Sequence, residues 1–153
     1  MAPNLFLALK HFRYLEEPRV LWIDAICINQ DGVPERGKQV QIMSKIYSKA
    51  RRVIVWFGEE APTDALAFDL LHRWYRRINS QGHDLDPLGE VLGDLVAEGR
   101  VPSFTALCRL LERRWFRRVW VIQEVVVATN TVATCGSLSM PWKVLQRRFT
   151  SSF

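Results

Sequence analysis

The sequence predicts an α/β fold, a doubly wound or related parallel sheet flanked by helices, on three observations. Val20, Leu21, Trp22 and Ile23 form a short block rich in β-branched and aromatic residues, closed by Asp24, which is the pattern of an interior parallel strand. Glu35 to Ala50 is an amphipathic helix: Val40, Met43, Tyr47 and Ala50 make one stripe with Ile46 at its edge, while Lys38, Gln41, Lys45 and Lys49 lie opposite. Val53 to Phe57 is a second apolar run, closed by Gly58, Glu59 and Glu60. Strand, helix and strand within about forty residues have the size of a βαβ unit with a right-handed crossover.

The remaining elements follow from spacing and punctuation. From Asn4 to Leu15, Leu5, Leu9 and Phe12 recur at helical intervals with Phe6 beside them, and Asn4 is a plausible cap. Pro18 disfavours helix in the residue before it, so this helix ends and the first strand begins at about Val20. Ala25 to Pro34 reads as a loop, because Asn29, Asp31, Gly32 and Pro34 are turn formers. The stretch from Asp64 to Arg114 reads as a helical insertion. In it Thr63 and Asp64 cap a helix bearing Leu66, Leu70, Leu71 and Trp74, Asn79 to Pro87 is a polar loop, and Leu88 to Ala97 is a short helix. Ser103 caps a further helix with Phe104, Leu107, Leu110 and Leu111 on its inner face. Thr131 to Cys135 reads as a strand ended by Gly136, and Met140-Pro141-Trp142 opens a last helix through Phe149.

At 153 residues and 48% hydrophobic composition, the chain suits one domain with a sizeable core. Its 21 Lys+Arg against 16 Asp+Glu leave a net charge of +5, which favours anionic partners without naming one. Nucleic-acid binding ranks low, since no recognition motif or basic-aromatic platform accompanies the charge. Cys27, Cys108 and Cys135 are widely spaced and odd in number, which points to a reducing, cytoplasmic setting rather than a disulfide framework. Neither they nor His11, His72 and His83 have metal-ligand spacing, so no metal is expected. The opening residues lack the features of a secretory signal, and no window approaches the ~20 apolar residues of a spanning helix.

Two stretches carry candidate chemistry. Polar residues at strand ends face the ligand crevice of an open α/β sheet, which makes Asp24 and Asn29 candidates. The alternative is local: Asp24 caps the next turn and Asn29 or Asp31 holds the loop through backbone bonds. The second stretch is Trp115 to Ala128. Propensity alone makes Val119 to Val127 a strand, whereas helical spacing puts Trp120, Glu124 and Ala128 on one face with Gln123 adjacent. A glutamate in so apolar a run needs a partner or a function. An ion pair between Glu124 and Arg113, Arg114, Arg117 or Arg118 stands beside a catalytic role. Arg73, Arg76 and Arg77 read as a solvated flank, with docking of a partner as the alternative.

The order Leu21-Trp22-Ile23-Asp24-Ala25-Ile26-Cys27-Ile28-Asn29-Gln30, Glu35-Arg36, Gln39, Met43, Ile46-Tyr47, Ala50 and Val53 to Gly58 closely resembles the fungal heterokaryon-incompatibility (HET) domain. Trp115, Arg118-Val119-Trp120, Gln123-Glu124 and Cys135-Gly136 continue the pattern, so that it covers roughly Asn4 to Trp142. The resemblance implies an intracellular signalling module of non-self recognition and programmed cell death, acting through protein partners or self-association. It also implies a TIR-like (flavodoxin-like) fold, in which Val20 to Asp24 and Val53 to Phe57 are neighbouring strands and Gly37 to Ala50 the helix between them. Trp120 with Glu124 is similar to the Trp-Cys-x-x-Glu helix of NAD-cleaving TIR domains, although Val121 stands in place of the cysteine and the 64–114 insertion precedes it. On that likeness NAD is a candidate substrate rather than a resident cofactor. Glu124 would then be the catalytic carboxylate, Trp120 an apolar wall, Asp24 and Asn29 crevice-lining groups, and Arg118 a phosphate partner. HET domains usually open with a Tyr-x-Ala-Leu-Ser-Tyr-x-Trp-Gly-like strand, which does not precede Asn4, so an N-terminally shortened domain is expected.

Overall fold

The computed structural model describes residues 3–81, 93, 96, 97, 99, 101–118 and 121–149. These form a mixed α/β structure. In chain order its elements are α1 (Pro3–Phe12), α2 (Asp24–Cys27), α3 (Val33–Lys49), β1 (Val53–Trp56), α4 (Asp64–Gln81), α5 (Val101–Leu111), a one-turn 3-10 helix (Arg114–Arg117), α6 (Val121–Val126), β2 (Thr131–Cys135), β3 (Leu138–Pro141) and α7 (Lys143–Phe149). Among the described residues no helix is long and apolar enough to cross a membrane.

The sheet has three strands in the order β1-β2-β3. β1 runs parallel to β2, with Val53 opposite Thr131 and Trp56 opposite Thr134, and the chain between them passes through α4, α5 and α6. β2 and β3 form an antiparallel hairpin closed by Gly136 and Ser137. Gly136 sits at φ +51, and a Cβ there would come within 2.7 Å of the Glu60 backbone nitrogen. Only glycine meets both demands.

The core lies between the sheet and the helical pair α4 and α5. Leu70, Leu71 and Trp74 of α4 meet Leu107 and Leu110 of α5, as their spacing predicts, and Met140 and Leu145 fill in from β3 and α7. Phe57, Trp115, Phe116 and Trp142 continue the core as an aromatic chain with centroids 4.9 to 5.4 Å apart. α4 and α5 lie within the span read as a helical insertion, and they supply about half of the core. Phe104, expected on the inner face of its helix, is exposed, as is Leu66.

Several expectations are corrected. Val20 to Asp24 is not a strand: residues 18–23 have no regular structure, Val20 is 97% exposed, and Asp24 begins α2. The backbone at Ile23 is extended, at φ −138 and ψ 119. An extended segment becomes a strand only when a neighbour completes its ladder, and the parallel neighbour of β1 is β2. The anticipated βαβ unit from Val20 to Phe57 is therefore absent. Asn4 lies within α1 rather than capping it, and its Oδ1 accepts a bond from Trp56 Nε1 at 3.1 Å. α3 starts at Val33, ahead of Glu35, with Pro34 in its first turn. Asn79 to Gln81 continue α4, and Ser103 lies inside α5. Met140 and Pro141 end β3 instead of opening a helix; Pro141 is tolerated there because β3 is an edge strand. Of the predicted 88–97 helix, Gly93, Val96 and Ala97 are helical and the rest lies outside the described residues.

Candidate functional site

The seam between α3 and α6 gathers the candidate residues. β-Branched density argues for a strand at 121–126, yet the segment is helical, because helical spacing sends Val125 into the core while Glu124 faces α3. The group facing it is Tyr47, which stands in the apolar stripe of α3. The phenol and the carboxylate are near enough for each to act on the other's ionisation. Trp22 packs edge-on against the Tyr47 ring, with centroids 5.7 Å apart and planes at 87°.

Asp24 and Arg118 complete the constellation. Arg118 Nη2 stands 3.8 Å from Asp24 Oδ2, a contact whose side chains are 54% and 36% exposed. Burial pushes the Glu124 carboxyl above its ordinary value. The Arg118 guanidinium opposes that shift, the Asp24 carboxylate adds to it, and the Tyr47 hydroxyl opposes it by favouring the charged form. Tyr47 is raised for the matching reasons, burial first and then the two carboxylates. Two acids and one guanidinium carry one excess negative charge when Glu124 is ionised and none when it is protonated. Burial is what raises the value, since the Arg118 guanidinium outweighs the Asp24 carboxylate and favours the ionised form.

The structure thus brings together Asp24, Arg118 and Glu124, and it adds Tyr47, which sequence reading assigned to packing alone. The available signal was its hydroxyl, since a tyrosine buried in an apolar stripe still needs a hydrogen-bond partner. Of the four candidate arginines, Arg118 is the one whose charge acts on Glu124. Asn29 is not part of the seam. Its Oδ1 accepts from the Asp31 amide at 3.1 Å and its own amide faces Glu35 at 3.4 Å, which is the local loop-holding alternative. Trp120 lies outside the described residues.

A second polar centre sits where β1 and β2 end. Asp64 is buried; its Oδ2 accepts from Arg113 Nη2 at 2.5 Å, from the Ala61 amide at 2.7 Å and from Cys135 Sγ at 3.1 Å. Arg113 Nη1 also donates to the Phe57 and Glu59 carbonyls, both at 3.0 Å. Burial, followed by the bond to Asp64, pushes the Cys135 thiol up to about 12, which leaves it protonated and unreactive. This centre ties both strand ends to α4. Its members are all engaged with one another, which is the behaviour of a structural network. Among the described residues no group of three or more His, Cys, Asp or Glu is placed to hold a metal ion.

Comparison with known proteins places these features in a wider pattern. The family described as heterokaryon incompatibility protein (HET) matches residues 1–124, a span that includes α1 to α6 up to Glu124. Heterokaryon incompatibility protein 6, OR allele, of Neurospora crassa is 33% identical over 180 aligned positions, covering 99% of this chain and 25% of that protein. The chain therefore spans about a quarter of the length of the curated relative it matches. No solved structure matches.

Proposed function

The chain belongs to the heterokaryon-incompatibility (HET) family, and from that premise we propose that it is a cytoplasmic signalling module whose output is cell death on contact between incompatible fungal cells. The observation that carries this reading is the near-complete coverage of the chain by an incompatibility protein at 33% identity. The three cysteines are free, as suits a reducing compartment. The finer comparison of the fold with TIR domains is also part of the proposal. It is supported by the parallel pairing of β1 with β2 across a helical connection and by the helix at Glu124.

In this reading Asp24, Tyr47, Arg118 and Glu124 are a brace rather than a catalytic centre. They join α2 and α3 to α6, and Glu124 is already engaged by Tyr47 on one side and opposed by Arg118 on the other. Cleavage of NAD by Glu124 gains no support from the comparisons. The test is expression of the chain from an inducible promoter in a filamentous fungal host. The expected result is growth arrest and loss of viability on induction. Normal growth at a protein level confirmed by immunoblot would contradict the proposal.

A further inference from the structure

β1 is an edge strand that nothing blunts among the described residues. Its inner edge is spent on β2 through the odd-numbered residues: the Val53 amide donates to the Asn130 carbonyl at 2.8 Å and the Phe57 amide to the Thr134 carbonyl at 2.9 Å. Alternation along a strand then turns the N–H and C=O groups of Ile54 and Trp56 outward, and among the described residues none takes them up. Proteins usually guard such an edge with proline, lysine or a bulge, and Val53–Trp56 has none of these. The guards stand at its two ends instead, in the order Arg51-Arg52-Val53-Ile54-Val55-Trp56-Phe57-Gly58-Glu59-Glu60.

That order is complementary to itself when reversed. We propose that the outer edge of β1 pairs with β1 of a second copy of this chain, antiparallel and about a two-fold axis at Val55. In this register Ile54 lies opposite Trp56 of the other copy, and the two exchange both backbone bonds, since both point outward. Val53 lies opposite Phe57, and beyond the strand, which bends at Arg51 and again past Gly58 (φ +109), the basic end at Arg51 and Arg52 lies beside the acidic end at Glu59. The sheet grows from three strands to six. A parallel arrangement would set arginine beside arginine and glutamate beside glutamate, so the end charges select the antiparallel one. Glu59 is the carboxylate open to a partner, because Glu60 Oε2 already accepts from the Ser137 amide at 3.2 Å and from its hydroxyl at 2.6 Å.

The pairing is tested by reversing the charges. Arg51 and Glu59 of one chain stand beyond opposite ends of a four-residue strand, itself about 13 Å long, so they cannot compensate each other within one copy. Sedimentation velocity of the chain over a range of concentrations is expected to show a monomer–dimer equilibrium. Arg51→Glu and Glu59→Arg each convert two attractions into two like-charge contacts, and each should weaken dimerisation about tenfold. The double variant should recover to within about threefold of the parent, because the pairs are re-formed with their signs exchanged. A chain that stays monomeric throughout overturns the proposal, as does association indifferent to the single reversals or a double variant without recovery. Because the readout is assembly in solution, its failure leaves the cell-death reading to its own test.

Discussion

The two halves of this molecule differ in what their apolar residues do. Between Pro3 and Ala50 a single side chain, Ile28, is buried, and neither α1, α2 nor α3 buries any residue. Between Val53 and Leu145 lies the entire core, from Val55 through α4, α5 and the hairpin to Leu145. Yet the densest family pattern falls in the first half, at Leu21 to Gln30 and along α3. The family match over residues 1–124 therefore joins a first half that buries little to the helices α4 and α5 that build the core. The first half is attached by a few specific contacts: Trp56 against Asn4, His11 and Phe12, and Tyr47 against Glu124.

The contrast can be broken at its strongest point first. Leu110 is fully buried, and Leu110→Ala should cost about 4 kcal/mol by cavity formation, whereas Val40→Ala on the 48%-exposed α3 site should stay within about 0.5 kcal/mol. Urea unfolding of the two variants reads both numbers; equal losses would mean that α3 buries more than the structure shows. Ion pairs provide a gentler version. Asp64→Ala strips Arg113, the Ala61 amide and Cys135 of a buried partner and should cost about 3 kcal/mol. Asp24→Ala removes an exposed contact to Arg118, and a change within about 0.5 kcal/mol is expected.

The smallest effect is on the seam itself and depends on pH. Because the Glu124 carboxyl titrates above its ordinary value of 4.5 in the folded chain, the folded state holds that proton more tightly than the unfolded one. Stability from this group is complete below 4.5 and is lost as pH rises through the raised value. Unfolding midpoints compared between the parent and Glu124→Gln should therefore converge in slope at neutral pH and diverge over the window just above 4.5, where only the parent declines. Parallel profiles throughout would place Glu124 in water.

How much of this was legible beforehand follows the same division. Where apolar spacing coincides with burial, as in α4, α5, β1 and β2, the sequence named the element, and in α5 also the inner face, with an error at Phe104. Helix α6 was legible against its own β-branched composition because spacing offered Glu124 a partner-bearing face. Val20 to Asp24 misled because strand propensity says nothing of whether a neighbouring strand exists, and here it has none among the described residues. The β2–β3 hairpin went unread because Pro141 suggested a helix start, and its turn is specified by the approach of Glu60, which no local pattern records. In the candidate site, charge pointed to Asp24, Arg118 and Glu124. Tyr47 and the Asp64–Arg113–Cys135 centre were hidden, since each depends on contacts between residues more than forty positions apart.

Native-state hydrogen exchange resolved along the chain tests the central claim most directly. If the core resides in Val53 to Leu145 and the first half is tethered at Trp56 and Tyr47, amides of α4, β2 and α5 should exchange only through global unfolding. Those of α1 and α3 should exchange through a separate opening of much lower free energy. Protection of α1 and α3 equal to that of β2 would contradict the account.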